Sequence, residues 1–253
     1  MLLRAENLCK HFGGVAALED VNLGFEPGTV HSIIGPNGAG KTTLLNLLAG
    51  VYLPTLGRIF FGERELTGQA AHRFAAAGIG RTFQNLQIFF NMSALENVMA
   101  GSWLHQGCSL GAAMLRPPSL VRQEASCRER AAALLEFVGL GRWMHAPADS
   151  LPYGALKRLE IARALAAQPK LLLLDEPAAG LNPTETREVD RLIRELTGRG
   201  ITVVLVEHNM KLVMEVSQHV IVLDYGRKLA EGDPATVSQD PRVVEAYLGV
   251  TTH

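Results

Sequence analysis

The residues Gly35-Pro36-Asn37-Gly38-Ala39-Gly40-Lys41-Thr42-Thr43 fit the pattern G-x-x-x-x-G-K-[ST]. Glycines at these positions let successive backbone N–H groups curl around a phosphate, and a helix N-terminus behind them adds partial positive charge. Lys41 then reaches the β- and γ-phosphates of a nucleoside triphosphate, and the Thr42 hydroxyl ligates magnesium. Further on, the apolar run Leu171 to Leu174 ends in two carboxylates, Asp175 and Glu176. Buried carboxylates are costly without a cation, and magnesium supplies one. Asp175 is placed to hold the metal through water, and Glu176 to polarise an attacking water. Leu205-Val206-Glu207-His208 repeats the arrangement. There His208 is placed to contact a γ-phosphate, although a lone histidine at a strand end is more often structural. Gln84, in Arg81-Thr82-Phe83-Gln84, is an amide that can ligate magnesium and orient water. Phe12, in Lys10-His11-Phe12-Gly13-Gly14, offers an aromatic face to a base, although core packing explains an isolated aromatic as well.

Positioning these groups requires a sheet whose strands end together. Val30–Ile34, Leu171–Leu174, 201–206 and 220–223 are short, mostly unalternating apolar runs, as expected when helices cover both faces of a parallel sheet. Residues 41–49, stopped by Gly50, read as a helix opened by the glycine-rich loop. Val189, Leu192, Ile193 and Leu196 stand at helical spacing before Gly198 and Gly200, which completes a βαβ unit. Residues 2–8 and 21–25 alternate more, and Pro27-Gly28 marks a turn; a small antiparallel sheet fits them. From about residue 85 to 156 strands are scarce. Ala131, Leu134, Leu135 and Val138 lead to Gly139 at helical spacing, and Pro117-Pro118 breaks the region. A helical lobe inserted into an α/β core is the expectation. Residues 151–165 read as an amphipathic helix with Pro152 in its first turn.

The chain has 253 residues, 47% of them apolar and 19% charged, with a net charge of −1. This excludes a disordered chain, and the balanced charge argues against a general polyanion binder. No run approaches the ~18 apolar residues of a membrane span, and the N-terminus does not read as a secretory signal. Cys9, Cys108 and Cys127 lack metal-ligand spacing, so reduced thiols in a cytosolic protein are expected.

Taken together, these residues resemble the ATP-binding subunits of ABC transporters over nearly the whole chain. The resemblance implies an α/β fold: a P-loop NTPase (RecA-like) core with a mainly parallel sheet, an N-terminal antiparallel β subdomain and an inserted α-helical subdomain. One domain would span 1–253, with 1–85 and 157–253 as core and 86–156 as helical part. Gly35–Thr43 looks like the Walker A loop. Asp175 and Glu176 look like the Walker B pair, with Glu176, His208 and Lys41 catalytic. Thr42, Gln84 and Asp175 look like the magnesium-side residues, and Phe12 like the adenine-stacking aromatic. Ala179-Gly180-Leu181-Asn182 is similar to the D-loop. Leu151-Pro152-Tyr153-Gly154-Ala155 aligns with the LSGGQ signature that completes a partner's site, but Pro152 replaces its serine and Ala155 its glutamine.

Gly78–Gln84, Tyr153-Gly154 with Lys157–Arg163, Glu176–Pro183, Glu207–Met214 and Ala246–Gly249 look like the branched-chain amino-acid importer subgroup. Urea and amide importers and lipopolysaccharide-export ATPases are close cousins. The resemblance implies ATP and magnesium as cofactors. It implies as partners a second ABC ATPase subunit in a heterodimer, transmembrane permeases and, indirectly, an external solute-binding protein, with no nucleic acid. The place of action would be the cytoplasmic face of the membrane, peripherally, with the isolated chain soluble. A cassette acting on DNA or the ribosome would be expected to carry tandem cassettes or a long coiled-coil insertion. A non-catalytic partner subunit fits poorly with an intact Lys41, Asp175, Glu176 and His208. The chain ends soon after His208, so no added regulatory domain is expected. Ile88, Phe89, Phe90 and Met92 either meet a permease or fill the lobe's own core, and exposure of the two phenylalanines decides between these.

Overall fold

The computed structural model describes residues 1–83, 86–102 and 117–248. Gln84 lies outside them. Two compact units form, one of residues 1–81 with 170–253, the other of 82–169.

The first unit carries two sheets. β1 (Leu3–Phe12) and β2 (Val15–Phe25) form a long antiparallel hairpin, extended through β4 (Leu56–Phe61) and β5 (Arg64–Glu65) in the order β2-β1-β4-β5. The hairpin is longer than its alternation suggests because it is bulged. Asn7 and Asp20 both take left-handed backbone, and the Asn7 amide donates to Asp20 Oδ1 at 2.7 Å. Each bulge shifts the register by a residue and breaks the period of two.

The second sheet holds β3 (Val30–Ile34), β6 (Ile79–Arg81), β7 (Leu171–Asp175), β8 (Thr202–Val206), β9 (His219–Asp224) and β10 (Arg227–Gly232). Their order is β10-β9-β3-β8-β7-β6, and every pairing is parallel except β10 with β9. Strands β3, β7 and β8 are buried throughout, because both faces are covered. Ile221 and Leu223 of β9 join one apolar cluster, whereas Val220 and Val222 join another. That two-sided burial is why these runs do not alternate. Parallel pairing brings the loops after β3, β7 and β8 to one carboxyl edge, where α/β sheets bind ligands.

His31 lies inside this unit at 3% exposure. Its Nε2 accepts the Glu26 N–H at 3.0 Å, and its ring meets Phe25 and His219 edge-on. Burial, reinforced by the neighbouring His219, pulls its pKa down to about 4, against a smaller opposing pull from Glu231 and Glu26. The unfolded chain takes up this proton near pH 6.5, which the folded chain refuses until about 4. His31 therefore favours folding fully above pH 6.5, and that contribution falls as pH drops toward 4. Between pH 7.5 and 5 the loss should be about 2 kcal/mol, read as a lower urea midpoint. His31→Gln should flatten that part of the profile, and an unchanged profile would exclude His31 as its source.

Helices α1 (Lys41–Leu48) and α2 (Ala71–Ala77) belong to the first unit; in the second, α3 (Ala94–Gly101), α4 (Pro118–Phe137) and α5 (Tyr153–Leu165) pack together. Pro117 and Pro118 mark a helix start: Pro117 is the N-cap of α4 and Pro118 its first residue, where no N–H is needed. Helix α5 runs through residue 156 without a break and lies whole in this unit. Asn97 is fully buried; it accepts the Phe89 N–H at 2.9 Å and donates to the Phe89 and Ser93 carbonyls at 3.0 Å. This fixes the backbone at Phe89 while leaving Phe89 and Phe90 47% and 48% exposed. Ile88 is buried, so core filling explains it but not its two neighbours.

Candidate active site

The loop between β3 and helix α1 (Lys41–Leu48) is shaped by its glycines. Gly35 has φ +149°, and a Cβ there would lie 2.0 Å from the Leu223 carbonyl oxygen. Gly40 has φ +99°, and its Cβ would lie 2.7 Å from the Ala17 oxygen. At Gly38, by contrast, a Cβ would meet nothing within 4 Å, so this side of the loop is an open cradle. The turn is closed by the Ala39 N–H donating to Pro36 O at 3.2 Å, leaving Asn37 at its tip. Lys41 is buried, and its Nζ donates to Gly35 O at 2.7 Å and Pro36 O at 2.8 Å. Burial pulls its pKa down, while Glu176 and then Asp175 hold it up. A desolvated ammonium beside an open nest of backbone suits a phosphate. Thr42 follows on the exposed side of the helix, and Thr43 is half-buried.

Asp175 ends β7 with a fully buried side chain, 3.4 Å from Nη2 of Arg81. Thr42 and Asp175 offer hard oxygen donors, the type magnesium takes beside phosphate oxygens. Glu176 has left-handed backbone, φ 48°, and its N–H donates to Val206 O at 2.9 Å. Its Oε1 lies 2.8 Å from His208 Nε2. An ionised carboxylate only accepts, so the imidazole proton of this contact sits on Nε2.

Three contacts join residues far apart in the chain, so local spacing does not show them. Glu207 is buried; its carboxylate accepts the N–H of Ala178 at 2.8 Å, of His208 at 3.1 Å and of Asn209 at 3.3 Å. It thus joins the turn after β7 to the loop after β8. Tyr52 meets Phe12 edge-on at 5.3 Å, while Lys10 Nζ sits 4.8 Å from the Phe12 centroid and donates to Leu53 O. Phe12 is 43% exposed, so it presents an aromatic surface rather than filling the core. Tyr247, on the helix Pro241–Leu248, has its pKa raised by burial, with the Gly35 backbone opposing the shift, which places its hydroxyl beside the glycine-rich loop.

Lys41, Asp175, Glu176 and His208 are therefore brought together in the first unit. Near them Asn182 caps the helix Pro183–Gly198 by accepting the N–H groups of Thr184 and Glu185 at 2.9 and 3.0 Å. The signature-like segment belongs to the second unit. Pro152 stands at the N-cap of α5, one residue before the first turn where the sequence placed it, and makes no side-chain cap. Its carbonyl accepts the N–H of Ala155 at 2.9 Å and of Leu156 at 3.0 Å. Leu151, Gly154 and Ala155 are buried, and Tyr153 is exposed.

A family described as "ABC transporter" matches residues 18–179, and one described as "Branched-chain amino acid ATP-binding cassette transporter" matches 227–252. The chain is 43% identical over 249 residues, 98% of each protein, to the high-affinity branched-chain amino acid transport ATP-binding protein BraF of Pseudomonas aeruginosa. The same figures hold for LivG of Escherichia coli. Among solved structures, a nucleotide-free ATP-binding cassette from an ABC transporter aligns with TM-score 0.85 at 34% identity, covering 97% of this chain and 98% of that one. An ABC transporter cassette in its ADP conformation aligns with TM-score 0.85 at 34% identity, covering 98% of both. The chain belongs to the ABC transporter family, as an ATP-binding cassette of its branched-chain amino acid group.

Proposed function

We propose that this chain hydrolyses magnesium-bound ATP to drive an importer of branched-chain or related amino acids, at the cytoplasmic face of a membrane. The observation that carries the hydrolytic part is the 2.8 Å contact between Glu176 and His208, beside a buried Lys41. The solute rests on the 43% identity to BraF and LivG along the whole chain.

In this reading the loop Gly35–Thr43 holds the phosphates, Lys41 reaches the β- and γ-oxygens, and Phe12 stacks on adenine. Thr42 and Asp175, with Gln84, hold magnesium, which when bound neutralises charge on those oxygens. Glu176 orients and polarises the attacking water. His208 fixes the Glu176 carboxylate by donating from Nε2 and meets the γ-phosphate. Glu207 keeps both carboxyl-edge loops in register through its three accepted hydrogen bonds. Most of the barrier reduction is positioning and charge neutralisation rather than covalent chemistry.

The chain works with a second ABC ATPase subunit, transmembrane permeases and, through them, a solute-binding protein. Phe89 and Phe90, exposed on a backbone pinned by Asn97, are the surface that meets the permease. Among the described residues no helix is long and apolar enough to cross a membrane. The reading is tested by the assembled transporter's ATPase rate. A binding protein loaded with leucine, isoleucine or valine should raise it, and stimulation by a urea- or amide-loaded binding protein instead would overturn the solute assignment.

Pro152 makes the pair of sites unequal. Leu151, Pro152, Tyr153, Gly154 and Ala155 complete the partner's site, and Pro152 brings neither a hydroxyl nor an N–H. The helix N-terminus still favours an anion, and Gly154 permits close approach. The missing charge-assisted hydrogen bond is worth roughly 1.5–3 kcal/mol. The site built on this chain's own Walker residues is then the more active. Pro152→Ser in the assembled transporter should lower the ATP concentration for half-maximal rate about tenfold or more, whereas no change, or a loss, contradicts the asymmetry.

A further inference from the structure

Arg81 ends β6, which pairs in parallel with β7 so that Arg81 stands opposite Leu173, two residues before Asp175. Its side chain is 8% exposed. One end of the guanidinium fork, Nη2, lies 3.4 Å from Asp175 Oδ2. The other, Nη1, donates at 2.6 Å to Oδ1 of Asn46, which sits on the helix that begins at Lys41. The fork therefore ties the phosphate-loop helix to the carboxylate at the end of β7, and its planar geometry makes the two contacts from one rigid group.

The charges around this point explain why a buried cation stands there. Asp175 is fully buried and Glu176 largely so, and both act on Lys41. A buried carboxylate without a cation protonates or recruits one. Arg81 supplies a cation that cannot lose its proton, from within the strand next to the one that bears Asp175. A divalent ion approaching Asp175 alone meets a carboxylate already matched, and a guanidinium that repels it. Phosphate oxygens change that balance by bringing several negative charges to the same place.

We propose that Arg81 is the resident counter-ion of Asp175: a positioning residue that keeps the nucleotide-free site closed to divalent cations and leaves Asp175 to the metal when ATP phosphates arrive. The inference rests on the reading of Asp175 as the metal-side carboxylate.

The experiment uses the full chain without nucleotide, with Mn²⁺ as the probe and free Mn²⁺ read by electron paramagnetic resonance. Arg81→Gln should bind Mn²⁺ at least tenfold more tightly than the unaltered chain. Arg81→Lys, which keeps the charge, should bind it no more tightly than the unaltered chain. Adding Asp175→Asn to Arg81→Gln should abolish the gain. The melting temperature of Arg81→Gln should rise with Mg²⁺ at constant ionic strength, while that of the unaltered chain does not. If Arg81→Gln folds poorly, the same rescue by Mg²⁺ is the readout, and rescue equally by Na⁺ overturns the proposal. Equal Mn²⁺ binding by Arg81→Gln and the unaltered chain overturns it as well. A separate arm measures how far Mg²⁺ tightens ATP binding to Asp175→Asn. If that dependence is undiminished, the underlying reading of Asp175 fails. If it is lost while Arg81→Gln gains no Mn²⁺ site, only the role of Arg81 fails.

Discussion

Glu176→Gln should bind ATP and hydrolyse it at least roughly tenfold more slowly, a barrier increase of about 1.4 kcal/mol or more. The substitution is nearly isosteric. The amide oxygen still accepts from Nε2 of His208, now 2.8 Å from Oε1, and the backbone bond from the residue 176 N–H to Val206 O is independent of the side chain. The left-handed φ of 48° is unchanged by the swap. What disappears is the negative charge and the basic oxygen that polarise the attacking water. Binding should survive because Lys41 and the glycine-rich loop are untouched. Initial rates of phosphate release, with ATP affinity measured in parallel, check both halves. Turnover equal to that of the unaltered chain would remove Glu176 from the chemistry.

Lys41→Ala should act on the other half of the cycle and weaken ATP binding by about 10- to 100-fold, which corresponds to the loss of a charge-assisted contact worth roughly 1.5–3 kcal/mol. The buried ammonium already donates to Gly35 O and Pro36 O. Without it those two carbonyls lose their donor, and Asp175 and Glu176 lose a nearby positive charge. The phosphates would then face two carboxylates across the cradle without the ammonium that offsets them. Lys41→Arg should not restore affinity, because a wide planar guanidinium does not replace a compact point charge inside so close a turn. Titration with a fluorescent ATP analogue measures the change. An affinity within a factor of two of the unaltered chain would show that the backbone cradle suffices.

Much of this arrangement is legible in the sequence because it is local. A strand, a glycine-rich turn and a helix place Lys41 next to the loop it serves, and all of it lies between residues 30 and 48. Asp175 and Glu176 end an apolar run, and His208 closely follows another, so the parallel sheet brings them together once its order is known. Features built from residues far apart in the chain were not legible. The bond from Arg81 to Asp175 depends on β6 lying beside β7, and that from Glu207 to Ala178 on where the two loops end. The bulges at Asn7 and Asp20 hide half of the first hairpin, because they destroy the alternation by which a strand is read. The contact of Phe12 with Tyr52 is equally non-local. Pro152 stands one residue before the first turn, because proline suits an N-cap's extended backbone as readily as a first turn.

Hydrolysis by this chain is the step that drives solute movement. Its most direct measurement is leucine uptake into sealed vesicles carrying the assembled transporter, with the loaded binding protein on one side and ATP with magnesium on the other. Uptake should require ATP and should fall at least tenfold when Glu176→Gln replaces the unaltered chain while the partner ATPase stays intact. Uptake that continues at its normal rate with Glu176→Gln would mean that this chain only completes its partner's site and does not itself drive transport.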